Sequence, residues 1–101
     1  MTRHEISPEE LNLLMATQPN SFTLLDVRTE KEFAHGHLQG SINLPIAELD
    51  LRTDELSRDL PVIVVCHAGV RSAYALEILK EKGFKEFRHL PGGLMRLESI
   101  G

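Results

Sequence analysis

Apolar residues recur along this chain in two rhythms, and the change from one to the other sets out the elements. Val62-Ile-Val-Val65 is an unbroken β-branched run, the pattern of a short strand buried on both faces of a parallel sheet. Phe22-Thr-Leu-Leu-Asp-Val27 reads as an earlier strand, with Asp26 and Arg28 at its C-terminal end. Ser41 to Leu44 gives a short strand closed by Pro45, and Phe84 to His89 a last one. Between these runs the spacing becomes helical. Leu11, Leu14 and Met15 form a stripe behind Ser7-Pro8-Glu9-Glu10, where Ser7 caps, Pro8 fits the first helical position and Glu10 falls where a capping box wants its acid. That helix ends before Pro19-Asn20. Thr29-Glu-Lys-Glu32 repeats the signature and predicts a short helix to about His35, broken by Gly36 and Gly40. Ala73, Leu76 and Leu79 line one face of a helix over 70–82, with Lys80 and Lys82 in its last turn and Gly83 just beyond. From Ile46 to Leu60 the signals are mixed and predict one or two short helical turns. Pro91-Gly-Gly93 is a turn, followed by a terminal helical turn from Leu94 to Ser99.

Strands separated by helices predict a parallel α/β sheet covered on both sides. Ligands in such folds sit outside the carboxyl ends of the strands, and Asp26, Arg28 and Cys66 all fall on that edge. The chain shows no internal repeats and no low-complexity segments. Its 101 residues suit one domain, 1–101, with a single core. The formal net charge of −4 argues against bulk binding to nucleic acid or to an anionic membrane. No apolar run approaches a membrane span, and Met1-Thr-Arg-His-Glu5 leads into no apolar segment of a signal peptide, so the expected compartment is the cytoplasm.

The single cysteine, Cys66, excludes an internal disulfide and a Cys-X-X-Cys redox pair. It stands where the buried strand stops, turns through Gly69 and enters the helix that starts near Val70. Unpaired N–H groups and the positive end of the helix dipole favour an anion there, and Arg71 adds a full positive charge. Those conditions favour a thiolate, the nucleophilic form of the side chain. A lone cysteine after an apolar strand is most often a plain core residue, so the flanking residues carry the reading.

Three blocks together resemble the rhodanese-like (sulfurtransferase) domains: Leu25-Asp-Val-Arg-Thr-Glu-Lys-Glu-Phe33 with Gly36-His-Leu-Gln-Gly-Ser-Ile-Asn-Leu-Pro45, then Cys66-His-Ala-Gly-Val-Arg71, then Leu90-Pro-Gly-Gly93. The resemblance runs in order along nearly the whole chain. It implies a five-stranded parallel sheet with helices on both faces, and transfer of a sulfane sulfur through a persulfide on Cys66. It makes His67, Ala68, Gly69, Val70, Arg71 and Ser72 the substrate-binding loop. One departure is visible. The family often carries a bulky aromatic shortly after the glycine pair, commonly tryptophan, whereas Leu94, Met95 and Leu97 follow here.

The expected donor is thiosulfate or another persulfide, and the expected acceptor cyanide, a small thiol or a protein thiol, since no second cysteine can resolve the persulfide internally. Backbone N–H groups of His67 through Arg71 are expected to curl around the sulfur, with Gly69 allowing the close approach. Arg71 either orients an anionic donor or holds the loop through Asp26. Asp26 and Arg28 are expected as an ion-pair and loop-bracing set, with Arg28 meeting Glu32. Ser72 caps the helix or supports the thiolate, and His67 either tunes donor binding or idles at the surface. Cysteine-dependent phosphatases of related fold use a loop one residue longer. The four residues between Cys66 and Arg71 are too few to wrap phosphate in that way. His35 and His37 lack a carboxylate or thiol at ligand spacing, so no metal and no cofactor are expected. His37 is expected to make a structural hydrogen bond after its helix. The remaining alternative is a non-catalytic or sulfur-carrier module serving a protein partner.

Overall fold

The computed structural model describes residues 4–100, with side chains through Leu97. The reading of the leader at Met1-Thr-Arg therefore lies outside the described residues. Helix α1 (Pro8–Thr17) opens with the Ser7 oxygen accepting the Glu10 N–H. The Glu10 carboxylate does not close a capping box but meets Arg88 at 3.0 Å. Strand β1 (Thr23–Asp26) leads to α2 (Glu30–Ala34), whose reciprocal capping box between Thr29 and Glu32 is complete. Then follow β2 (Ile42–Asn43), α3 (Ile46–Arg52), a single 3-10 turn (Thr53–Glu55), β3 (Val62–Val65) and α4 (Val70–Glu81). Strand β4 (Phe87–His89) and α5 (Gly93–Ile100) complete the chain.

The strands lie parallel in the order β2-β1-β3-β4. Alternation along each strand sends side chains to two cores. Leu25, Val27, Val62, Val64, Cys66 and Phe87 join Leu49, Ala75 and Leu79 under α3 and α4. Leu24, Ile63 and Val65 pack with Leu11, Leu94 and Leu97 under α1 and α5. Both faces of β3 are thus covered, which is why its sequence is apolar throughout.

Two expectations change. The sheet has four strands among the described residues, not five. At the position of a further edge strand, Glu5 makes an isolated parallel bridge to His89, through Ile6 N–H to the His89 carbonyl (3.0 Å) and His89 N–H to the His4 carbonyl (2.9 Å). Ser7 and Pro8 then start a helix, so the ladder stops after one bridge. The last strand also begins later than Phe84. Gly83 turns the chain, and Phe84 donates its N–H to the Leu79 carbonyl while its ring packs into the core beneath Arg58. Phe84 is buried by the end of α4 rather than by the sheet.

Candidate active site

Strand β3 delivers Cys66 to the carboxyl edge of the sheet, and the loop 66–72 folds back over it. Gly69 N–H lies 3.1 Å from the Cys66 Sγ, and Ser72 N–H lies 3.3 Å from it. Ser72 is the third residue of α4, so the sulfur faces the N-terminal turn of a helix with no side-chain cap. Donors fixed in that way stabilise negative charge on sulfur. The expected ring of amides from positions 67 to 71 is narrower than supposed: one of the two sulfur donors falls inside it, and the other is Ser72. Cys66 is only 1% exposed.

Gly69 adopts φ +96°, the left-handed turn that bends the loop back. A Cβ there would come within 2.7 Å of the Gly92 nitrogen, and one on Gly93 would overlap the His67 carbonyl. The loop and the Gly92–Gly93 turn therefore pack backbone against backbone. Leu94 N–H binds the Cys66 carbonyl at 2.8 Å, and Met95 N–H the His67 carbonyl at 3.2 Å. The side chains of His67, Ala68 and Val70 lie on the exposed side of the loop.

The Asp26–Arg28 ion pair forms as expected, but two other charged pairings differ. Arg71 does not pair with Asp26, and Arg28 does not meet Glu32. Arg71 grips Glu32 in a two-pronged ion pair, Nη1–Oε1 2.6 Å and Nη2–Oε2 3.0 Å. Arg28, the other half of the bracing set, turns back on Asp26: Nε and Nη2 donate to its carboxylate at 2.8–3.1 Å, and the Arg28 backbone N–H adds a bond at 3.0 Å. Arg28 Nη2 also donates to the Gly36 carbonyl at 2.8 Å. The reason is reach. Asp26 is already saturated by its neighbour two residues on, while α2 presents Glu32 to the start of α4 (hence the link between α2 and the loop).

Each pairing shifts its groups. The Arg71 hydrogen bond holds the Glu32 carboxyl down to about 2, with burial opposing and the Thr29 donors assisting. Glu32 in turn raises Arg71, against burial, with smaller contributions from the charges of Cys66 and Asp26. Asp26 likewise raises Arg28 against the effect of burial.

Three contributors carried no clear sequence signal. Asn43 bridges the edge by donating to the Asp26 and Arg28 carbonyls at 3.0 and 2.9 Å. Glu32 read only as a capping acid or as a partner for Arg28. His89 lies 2.9 Å from the Ser72 hydroxyl, and its one sequence cue was parity with Phe87 in a strand facing α4. The remaining histidine expectation holds: His37 Nδ1 lies 2.8 Å from the Phe33 carbonyl.

A parallel α/β sheet ending in a cysteine loop, with the sulfur cradled at a helix start, sets the class of the protein by its fold and site. Residues 7–99 match the family described as "Rhodanese-like domain", and the chain belongs to that family. It is 33% identical over 81 residues to a thiosulfate sulfurtransferase GlpE of Shewanella oneidensis, covering 80% of each chain. It is 32% identical over 74 residues to the putative sulfur carrier protein YrkF of Bacillus subtilis, covering 73% of this chain and 40% of YrkF. The chain spans less than two thirds of the length of several curated relatives it matches. The crystal structure of a rhodanese-related protein from Thermoplasma volcanium superposes with a TM-score of 0.86 at 33% identity, covering 97% of this chain and 93% of that one. Both curated relatives, GlpE and YrkF, are named for sulfur transfer or sulfur carriage. No helix among the described residues is long and apolar enough to cross a membrane.

Proposed function

We propose that residues 1–101 act as one sulfurtransferase domain in the cytoplasm, moving a sulfane sulfur from thiosulfate or a persulfide donor to a thiophilic acceptor. Cys66 is the nucleophile. Its thiolate attacks the outer sulfur of thiosulfate; the new S–S bond forms as the bond to sulfite breaks, and sulfite departs with the electron pair. Cyanide, a small thiol or a protein thiol then attacks the terminal sulfur of the Cys66 persulfide and regenerates the thiolate. No cofactor takes part. The carrying observation is the pair of N–H groups, from Gly69 and Ser72, on the Cys66 sulfur.

The roles of the other residues follow from their surroundings. His67, Ala68 and Val70 form the exposed lip past which the donor enters. Arg71, held by Glu32, leaves its positive charge beside the sulfur and serves an anionic donor by field rather than by direct grip. Asp26 and Arg28 brace the edge from which the loop springs. The test is thiocyanate formation from thiosulfate and cyanide. The wild-type protein is expected to turn over and Cys66→Ser to be inactive; activity surviving in Cys66→Ser rules out the nucleophile.

A second reading is a carrier module serving a protein partner, favoured by the burial of the sulfur and by the name of the YrkF relative. Mass spectrometry separates the two. A carrier gains one sulfur on Cys66 from a donor yet produces no thiocyanate at a useful rate, whereas an enzyme does both.

A further inference from the structure

The two amides on the Cys66 sulfur belong to residues 69 and 72, and one hydroxyl joins those residues. Ser72 is fully buried, and its Oγ lies 3.1 Å from the Gly69 carbonyl and 2.9 Å from His89 Nδ1. A serine hydroxyl has one hydrogen. The bond to the Gly69 carbonyl uses it, so the bond to His89 requires a hydrogen from the ring. The Gly69 carbonyl also receives the Ala73 N–H at 3.3 Å, which fixes it in the first turn of α4.

His89 is itself firmly placed. Its backbone is bonded on both sides by the segment His4–Ile6, and strand parity turns its ring toward α4 with Phe87. The residue is 8% exposed. Burial lowers its pKa, with the charge of Glu5 pulling the other way, so the ring is neutral at neutral pH and one tautomer must be chosen.

We propose that His89, in the Nδ1–H tautomer, is a positioning residue that sets the sulfur cradle: it donates to Ser72 Oγ, Ser72 donates to the Gly69 carbonyl, and the chain fixes the spacing of the Gly69 and Ser72 amides around Cys66. His89 touches neither the sulfur nor a donor in this scheme. It acts through Ser72 alone. The proposal rests on the sulfur-transfer reading only in taking Cys66 as the reacting atom.

Two measurements test it, neither needing a sulfur donor. The first is the 15N NMR spectrum of the imidazole in the unaltered protein at neutral pH, which reads the tautomer directly. A proton on Nδ1 is expected; an unprotonated Nδ1 overturns the proposal. The second is the rate of Cys66 alkylation by iodoacetamide. His89→Leu and Ser72→Ala are each expected to slow it roughly tenfold, and the double variant no further, because both act through one path. His89→Asn, whose amide can sit where Nδ1 does, is expected to recover most of the rate. A His89→Leu protein within about twofold of wild type, or an Asn variant as slow as the Leu variant, overturns the proposal. Should His89→Leu fail to fold, the NMR result decides alone. Absent thiocyanate formation would sink the enzyme reading without touching this one.

Discussion

At the scale of single residues, the site is held by two arginines that each already have a carboxylate. The Arg28–Asp26 pair is almost fully buried, with side-chain exposures of 10% and 0%. Removing one member of such a pair leaves an uncompensated charge away from water. Asp26→Ala is therefore expected to lower the unfolding free energy by about 3–5 kcal/mol, measured by urea denaturation. The Arg71–Glu32 pair is different in kind, because its side chains are 31% and 35% exposed. Solvent screening keeps the worth of that pair small, so its signature is a titration rather than a large stability change. The Glu32 carboxyl titrates at about 2 in the folded chain, against an ordinary 4.5. A carboxyl with a depressed folded pKa contributes stability that is fully present above its unfolded value and lost as pH falls through its folded one. The stability that the Arg71 clamp contributes is thus full at pH 5 and above and is lost between about 4.5 and 2. In the folded chain the ion pair itself persists until Glu32 takes up its proton near 2. Carbon-detected NMR of Glu32 is expected to place the midpoint near 2, and Arg71→Met to move it up toward 4.5. An unaltered protein already titrating near the ordinary value would mean that the pair does not form in solution.

At the scale of elements, what could be read from the chain was whatever is decided locally. Ser7 and Thr29 cap through bonds to residues three positions away, and both helices begin where those residues stand. The β3 run declares its own burial because every member faces a core. What resisted reading was decided at long range. Glu10 has a capping position but a better partner in Arg88, which only the approach of β4 to α1 supplies. Glu32 sits in a capping box and at the same time holds Arg71, thirty-nine positions on. The Gly92–Gly93 turn announces itself as a turn; that its backbone lies against His67 and Gly69 does not follow from local pattern. That contact yields an element-level prediction. Gly93 has φ +69°, and a Cβ there would collide with the His67 carbonyl, a backbone atom that cannot swing aside. Gly93→Ala combines left-handed strain with overpacking and is expected to cost at least about 2 kcal/mol in urea denaturation. It should also push the loop outward and, on the proposed function, slow persulfide formation at Cys66. An alanine variant as stable as wild type would show that the two turns do not pack backbone to backbone.

At the scale of the whole molecule, the sheet carries the sulfur to its carboxyl edge while the cores above and below close around it. The family resemblance implied a fifth strand, yet strand pairing depends on how far two segments run side by side, and the helix start at Ser7 and Pro8 ends that run after Glu5. The same closing of the fold leaves Cys66 only 1% exposed although its sulfur receives two amide hydrogens. Favourable charge stabilisation and poor access then act against each other, and the size of the attacking partner decides which dominates. A small reagent needs a smaller opening of the loop 66–72 than a large one does. The ratio of the iodoacetamide rate to the rate with a bulky maleimide such as N-pyrenylmaleimide is accordingly expected to be high in the folded protein. In denaturing urea, where the cradle and the loop that covers the sulfur vanish together, it should fall by more than about tenfold. A ratio unchanged by unfolding would mean that the folded chain offers its sulfur freely. In that case a bulky protein acceptor could take sulfur without any movement of the loop.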